Sequence, residues 1–368
     1  MKILYALKMY NNPMYEWQRV HIFNELEHHG IQIDLFNPLE YLEFDEMNKK
    51  LIESAGRSEY SLFMTAHNEE VVTVETLQKI EKMGIPTLLI CFDNLLVPYV
   101  HRKVAKYYDL VWLTSSENKN LFLKWGANTI VMPYAANPFF FKPYKGNHIK
   151  KLSFIGSPYG SRANTINKLI ADRVAVDLYA NKKNASALKD ENRKISRLFT
   201  KSFIYSRYPV GRKLMAAAML QKFNTQAILN EQSDNLCRFD SPSFADMARL
   251  YSEYRLSFSS TTARNTGILK NPVEIVNLRS FEIPMSGGIQ FCHYASELAQ
   301  YFTEDKEIVF YRNDKELIEK ARHYLYTVTD EEISRLKGNA RRRALSDHTW
   351  YARFSKIFQI LHISTPIQ

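Results

Sequence analysis

Apolar runs of strand length alternate with stretches of helical periodicity along the first third of the chain. KILYAL (2–7) predicts a buried strand, and Val20, Phe23 and Leu26 then recur at helical spacing between Trp17 and His29 before Gly30 stops the helix. IQIDLF (31–36) supplies the next strand. SLFMTA (61–66), a helix over Val74 to Met83, Gly84 and PTLLICFD (86–93) repeat the unit, as do DLVWLTS (109–115), a helix over Glu117 to Trp125, Gly126 and TIVMPYA (129–135). This strand, helix, Gly, strand rhythm belongs to a parallel α/β sheet with helices on both faces, and it predicts a Rossmann-like domain over residues 1–140.

Periodicity lapses between Asn137 and Lys150, where Pro138, Pro143 and Gly146 place a linker at 141–150. A second Rossmann-like domain is expected over 151–348. KLSFIGS (151–157) runs into a Gly-containing turn and a helix over Arg162 to Ile170, and VAVDLYA (174–180) follows as the second strand. Residues 181–235 lack strand alternation and contain MAAAML, which reads as an inserted helical segment. RLSFSS (255–260), a helix over Val276 to Pro284, GIQFC (288–292) and EIVFY (307–311) resume the sheet pattern. Two such domains are expected to face each other across a cleft, with ligands held where strands turn into helices.

Composition adds little to this picture: 45% hydrophobic and 24% charged residues are those of a folded globular chain. Charge adds more. Of the net charge of +10, the stretch Lys182 to Lys222 holds +9, with 11 Lys or Arg against Asp190 and Glu191. A basic balance confined to one segment points to a local anionic partner, such as an anionic membrane surface or a phosphorylated acceptor, and a subunit contact or a solvated face fits it equally. No nucleic-acid-binding module accompanies it. Cys91, Cys237 and Cys292 are dispersed and odd in number, without zinc-ligand spacing, so no metal site is expected and a reducing, cytoplasmic setting fits. The N-terminus lacks the long apolar core of a signal peptide, and no run of membrane-spanning length occurs.

The stretch NPVEIVNLRSFEIPMSGGIQF (271–291) carries the most specific chemistry. Glu274 and Glu282 stand eight positions apart, which on a helix points both carboxylates to one side, where they can accept from ribose hydroxyls. Arg279 between them offers a bidentate partner to a diphosphate, and Gly287 and Gly288 allow a sharp turn and a close backbone approach to a ligand. Surface helix charges followed by an ordinary turn satisfy the same spacing.

LRSFEIPMSGG (278–288), FTEDKEIVFY (302–311), NDKELIEKARHYL (313–325) and RRRALSDHTWYARF (341–354), in that order, resemble the C-terminal half of CgeB-like, spore-maturation-type glycosyltransferases, relatives of the GT-B enzymes. FIGSPYGSR (154–162), CFDNLLVP, YYDLVWLTS and PYAANPFFF extend the likeness more weakly upstream. The resemblance implies a GT-B fold and a nucleotide-diphosphate-sugar donor (UDP-, GDP- or dTDP-linked) in the second domain. It also implies a glycan or lipid-linked acceptor held by the first domain, transfer without an obligatory metal, and a final helix, 349–368, that crosses back to the first domain.

Carried over residue by residue, Glu282 resembles the ribose-binding Glu of glycosyltransferase family 4 and Glu274 the first Glu of that pair, an arrangement that goes with retention of configuration. Arg279 matches the LR-x-FE pattern. Gly156 and Arg162 match the turn that opens the donor domain and are candidate phosphate ligands, although any strand-to-helix turn of this fold looks alike. Arg255 stands where relatives often have Lys and is a candidate to neutralise the leaving diphosphate, or a plain strand-edge residue. Asp93 and His67, at strand ends of the first domain, are candidate bases or helix caps. His348 and Trp17 read as packing residues. An epimerase or hydrolase on the same nucleotide site, or a non-catalytic partner subunit, are the rival expectations.

Overall fold

The structure, a computed structural model, describes residues 1–10, 13–146, 148–181, 203–223 and 228–364. The chain divides into two compact units, Met1–Asn137 with the chain from His348 onward, and Pro138–Asp347.

In the first unit six parallel strands form a sheet of order β2-β1-β3-β4-β5-β6: β1 (Lys2–Ala6), β2 (Gln32–Phe36), β3 (Leu62–Thr65), β4 (Thr87–Cys91), β5 (Leu110–Leu113) and β6 (Thr129–Val131). The central strands β3, β4 and β5 are buried at every position, as a sheet covered on both faces requires. Helices α1 (Pro13–Gln18) and α2 (Asn24–His28) are joined by a π turn, Arg19–Phe23, whose Val20 carbonyl accepts from Asn137 Nδ2 at 2.7 Å. A π turn frees a carbonyl from the regular helical ladder, and here a side chain satisfies it. Helices α3 (Phe44–Ala55), α4 (Val74–Glu81) and α5 (Lys119–Lys124) complete the crossovers.

The second unit repeats the plan with the order β12-β11-β10-β7-β8-β9. Its strands are β7 (Ile149–Ile155), β8 (Val176–Tyr179), β9 (Leu236–Phe239), β10 (Tyr254–Phe258), β11 (Gln290–His293) and β12 (Val309–Tyr311), and its helices are α6 (Ser161–Ala171), α7 (Pro209–Phe223), α8 (Phe244–Glu253), α9 (Arg279–Met285), α10 (Asp314–Arg322) and α11 (Asp330–Asp347). Numbered within the unit, this is the 3-2-1-4-5-6 order of dinucleotide-binding folds. Leu152, Phe154, Leu256, Phe258 and Phe291 fill its core with Ile166 and Leu169 of α6.

Several expectations need correction. β9 is absent from the sequence reading because it is an edge strand, half-buried and exposed by turns, and carries no apolar run. The helix expected from Val276 begins only at Arg279, since residues 273–275 are extended and pair with 261–263. The segment expected as a linker packs with the second unit: Arg341 donates to the carbonyls of Phe141 and Pro138, and Tyr144 N to Ser252 Oγ at 2.8 Å. Of the expected insertion, residues 182–202 and 224–227 lie outside the described residues.

The last helix, α12 (Trp350–Ile360), packs in the first unit. Trp350 is fully buried, with its ring 5.9 Å from that of Trp17. Thr349 caps the helix, and the buried Glu25 carboxylate accepts from Tyr351 N at 2.7 Å. His348 pairs through Nδ1 with Arg353 Nη2 at 2.8 Å. Among the described residues no helix is long and apolar enough to cross a membrane.

Candidate functional site

The order of the second sheet reverses between β7 and β10, and in open parallel sheets ligands bind outside the carboxyl ends of strands at such a reversal. β7 ends at Ile155, and the chain then passes through Gly156 (φ 148°) and Gly160 (φ 58°), conformations that a side chain resists. A Cβ on Gly160 would also collide with the Asn265 amide. Gly160 is the N-cap of α6 and, having no side chain, makes no cap hydrogen bond; Arg162 N donates to Tyr159 O at 3.2 Å.

Two guanidiniums converge on this turn. Arg162, in the first turn of α6, donates to Ser157 O at 3.4 Å and lies over the Tyr159 ring, 4.6 Å from its centre. Arg279, the first residue of α9, donates from Nε to Ile155 O at 2.9 Å, and its Nη2 lies 3.7 Å from where a Gly156 Cβ would stand. Burial lowers the Arg162 pKa from its ordinary value; Tyr159 opposes this and the like charge of Arg279 adds to it. Two half-buried cations set against each other are unfavourable until an anion joins them.

Glu282 stands one turn beyond Arg279 and is 2% exposed. Tyr251, from α8, lies against both: burial raises its phenol above the ordinary value, the Arg279 charge works against that shift, and the Glu282 charge works with it. Ile155, Leu250, Tyr251 and Ile283 pack as one apolar cluster behind these groups. Asn277, just before α9, donates to Ser260 O at 2.9 Å and ties the helix start to the end of β10. Tyr251 escaped the sequence reading because an aromatic residue before a strand looks like any core residue.

Glu274, a candidate catalytic residue, and the remaining candidate donor residues separate from this cluster. Glu274 does not share a helix with Glu282. It is exposed on the extended segment, where its Oε2 accepts from Ser296 N and Oγ, each at 2.8 Å. Gly287 and Gly288 close α9, with Gly287 N bonded to Pro284 O and Gly288 N to Ile283 O, both at 2.9 Å, the paired bonds of a Schellman cap. The space beside them is taken by protein: a Cβ on Gly287 would lie 3.1 Å from Pro143 Cγ, and one on Gly288 2.5 Å from Tyr251 O. Arg255 stands near the start of β10, away from its carboxyl end, and is 1% exposed. Its Nη1 donates to the carbonyls of Tyr324, Leu325 and Val328 and its Nη2 to Asp330, so its charge is spent holding the chain between α10 and α11.

In the first unit His67 follows β3, where the sheet order reverses between β1 and β3. Its Nε2 accepts from Lys8 N at 3.0 Å, and burial pushes its pKa down to about 4, with Lys8 and His101 adding to the shift. The neutral ring therefore carries its proton on Nδ1 and has its lone pair engaged, which removes it as a base in this arrangement. Asp93 is exposed after β4, and its carbonyl accepts from Leu96 N and Val97 N, both at 3.0 Å. The buried neighbour Asn94 stitches the strand ends, donating to Ser115 O at 2.8 Å and accepting from Thr114 N at 2.9 Å.

Residues 230–359 match the model of a family described as glycosyl transferase-like. No curated protein matches the chain. Solved structures that resemble it include the Anabaena protein HepE in complex with UDP, at TM-score 0.62 and 13% identity over 98% of this chain and 100% of that one. Sucrose-phosphate synthase from Thermosynechococcus elongatus matches at TM-score 0.57 and 13% identity over 98% and 99% of the two chains. A glycosyltransferase from Rickettsia africae matches at TM-score 0.58 and 10% identity over 98% and 97%. These likenesses define the fold as GT-B, two Rossmann-like units each built on a six-stranded parallel sheet.

Proposed function

We propose that this chain is a glycosyltransferase that moves a sugar from a nucleoside-diphosphate sugar to the hydroxyl of a glycan or lipid-linked acceptor. The observation that carries the reading is the convergence of Arg162 and Arg279 on the α6 N-terminus at the β7 turn. The family model over 230–359 and the presence of UDP in a structure of the same fold support it.

In this reading the diphosphate lies between the two guanidiniums and the α6 amides, and Glu282 takes the ribose hydroxyls. Transfer breaks the bond between the anomeric carbon and the diphosphate oxygen, which keeps the electron pair. The acceptor oxygen forms the new bond and releases its proton. Fixed cations aimed at the oxygen where charge develops stabilise that departure, and with two present the reaction is proposed to need no bound metal. The second unit is assigned the donor and the first the acceptor. Retention of configuration is proposed from the family resemblance alone, since Glu274 is held by Ser296 on an extended segment apart from Glu282.

The test is a panel of UDP-, GDP- and dTDP-sugars offered with and without EDTA, followed by NMR of any product. A new glycoside with the donor's anomeric configuration, formed equally with EDTA, is the expected result. Free sugar alone, or an epimerised donor, would replace transfer with hydrolysis or epimerisation.

A further inference from the structure

The described portion of the basic segment forms a knob whose cations are not among the groups that converge on the β7 turn. Residues 203–223 contain Arg207, Arg212, Lys213 and Lys222 and no acidic residue. A helical turn over residues 203–206 folds back on α7 at Gly211, where a Cβ would fall 2.7 Å from Tyr205 Cα. Arg207 lies over the Phe203 ring at 4.0 Å, and Arg212 donates to Ser206 O at 3.2 Å. Val210, Leu214 and Ala217 bury one face of α7, and Gln221 accepts from Asn265 Nδ2 at 2.7 Å.

The opposite face should be polar if it met only water. It instead presents Arg212, Ala216, Met219 and Leu220, with Met219 59% exposed. Phe203, in the turn that folds back on α7, is also 59% exposed. Apolar side chains among cations, with no acid among them, match a surface that is negatively charged outside and hydrocarbon within.

We propose that this knob docks the protein on an anionic lipid bilayer, with Arg207, Arg212 and Lys213 on the headgroups and Phe203, Met219 and Leu220 in the acyl boundary. The knob is joined to the nucleotide turn through one short segment: Asn265 touches both Gln221 and the Gly160 position, and Gly267 packs on Ser161. Docking there sets the β7 turn close to the lipid, where a lipid-linked acceptor would be presented.

The test is co-sedimentation of the full chain with phosphatidylcholine vesicles, with and without phosphatidylglycerol, at low and high salt. Binding is expected only with phosphatidylglycerol and is expected to be lost at high salt. The triple variant Arg207→Glu, Arg212→Glu, Lys213→Glu should bind at least ~10-fold more weakly. Phe203→Ser with Met219→Ser should also bind more weakly while keeping its dependence on salt. All the substituted residues are exposed or half-buried, and unchanged melting temperatures check that the variants fold. No binding to phosphatidylglycerol vesicles, equal binding by wild type and the triple variant, or concentration-dependent self-association without vesicle binding would each overturn the proposal.

Discussion

Arg279 Nε donates to the Ile155 carbonyl across 2.9 Å, so the first residue of α9 is held at the last residue of β7. That bond fixes a cation at the strand end and leaves the outer guanidinium nitrogens toward Gly156 and Arg162. Lysine keeps the charge but cannot make this bond and face a phosphate at once. Arg279→Lys is expected to bind donor nucleotide about tenfold more weakly, an effect of roughly 1.4 kcal/mol, with its melting temperature little changed. Calorimetric titration and a thermal melt check both halves.

Arg255 predicts the reverse pattern. Arg255→Met leaves the Tyr324, Leu325 and Val328 carbonyls without their donor, at a cost of about 3 kcal/mol in stability. The Asp330 side chain is 65% exposed, so its ion pair contributes little to that figure. Urea unfolding reads the loss, and nucleotide affinity of the folded variant should stay within about twofold of wild type.

The glycine pair sets a positive φ beside the Pro143 ring against a direct clash with backbone. Gly287→Ala meets a φ of 73° and should cost about 1 kcal/mol. Gly288→Ala drives a methyl group toward the Tyr251 carbonyl and Ile283, and should cost about 2 kcal/mol or more. Urea midpoints for the two variants test that order.

Glu25 makes the docking of the last helix depend on pH. Burial pushes its carboxyl up from 4.5 to about 8, against the opposing hydrogen bonds from Tyr351, Trp350 and Thr349. A folded-state pKa above the unfolded value means that the folded chain binds this proton more tightly. The contribution is full below about pH 4.5 and is lost as pH rises through about 8. Glu25→Gln cannot ionise, so its melting temperature should fall less than that of wild type between about pH 5 and pH 8. Parallel slopes for the two proteins would contradict this.

The sheets were legible where burial on both faces writes an unbroken apolar run, as in Leu88 to Cys91 and Leu110 to Leu113. β9 was not, because an edge strand with Arg238 in its middle has no such run. Arg162 could be singled out because it follows Gly160 in a strand-to-helix turn, and Arg279 because it lies between two Glu in the LR-x-FE pattern. The role of Arg255 could not: a cation before an apolar strand reads the same at either end of a sheet, and its acceptors lie 69 to 75 positions away. Glu274 and Glu282 have helical spacing, but Pro272 and the pairing of 273–275 with 261–263 keep the first of them extended. The contact between Glu25 and Tyr351 joins positions 326 apart, which periodicity cannot reveal.

Isothermal titration of UDP, GDP and dTDP into the wild-type protein, Arg162→Ala and Arg279→Ala, all in EDTA, tests the donor site most directly. The account predicts that one diphosphate binds wild type and that each variant binds it at least ~10-fold more weakly with an unchanged melting temperature. Equal affinity in all three proteins, or no binding of any of the nucleotides to wild type, would contradict it.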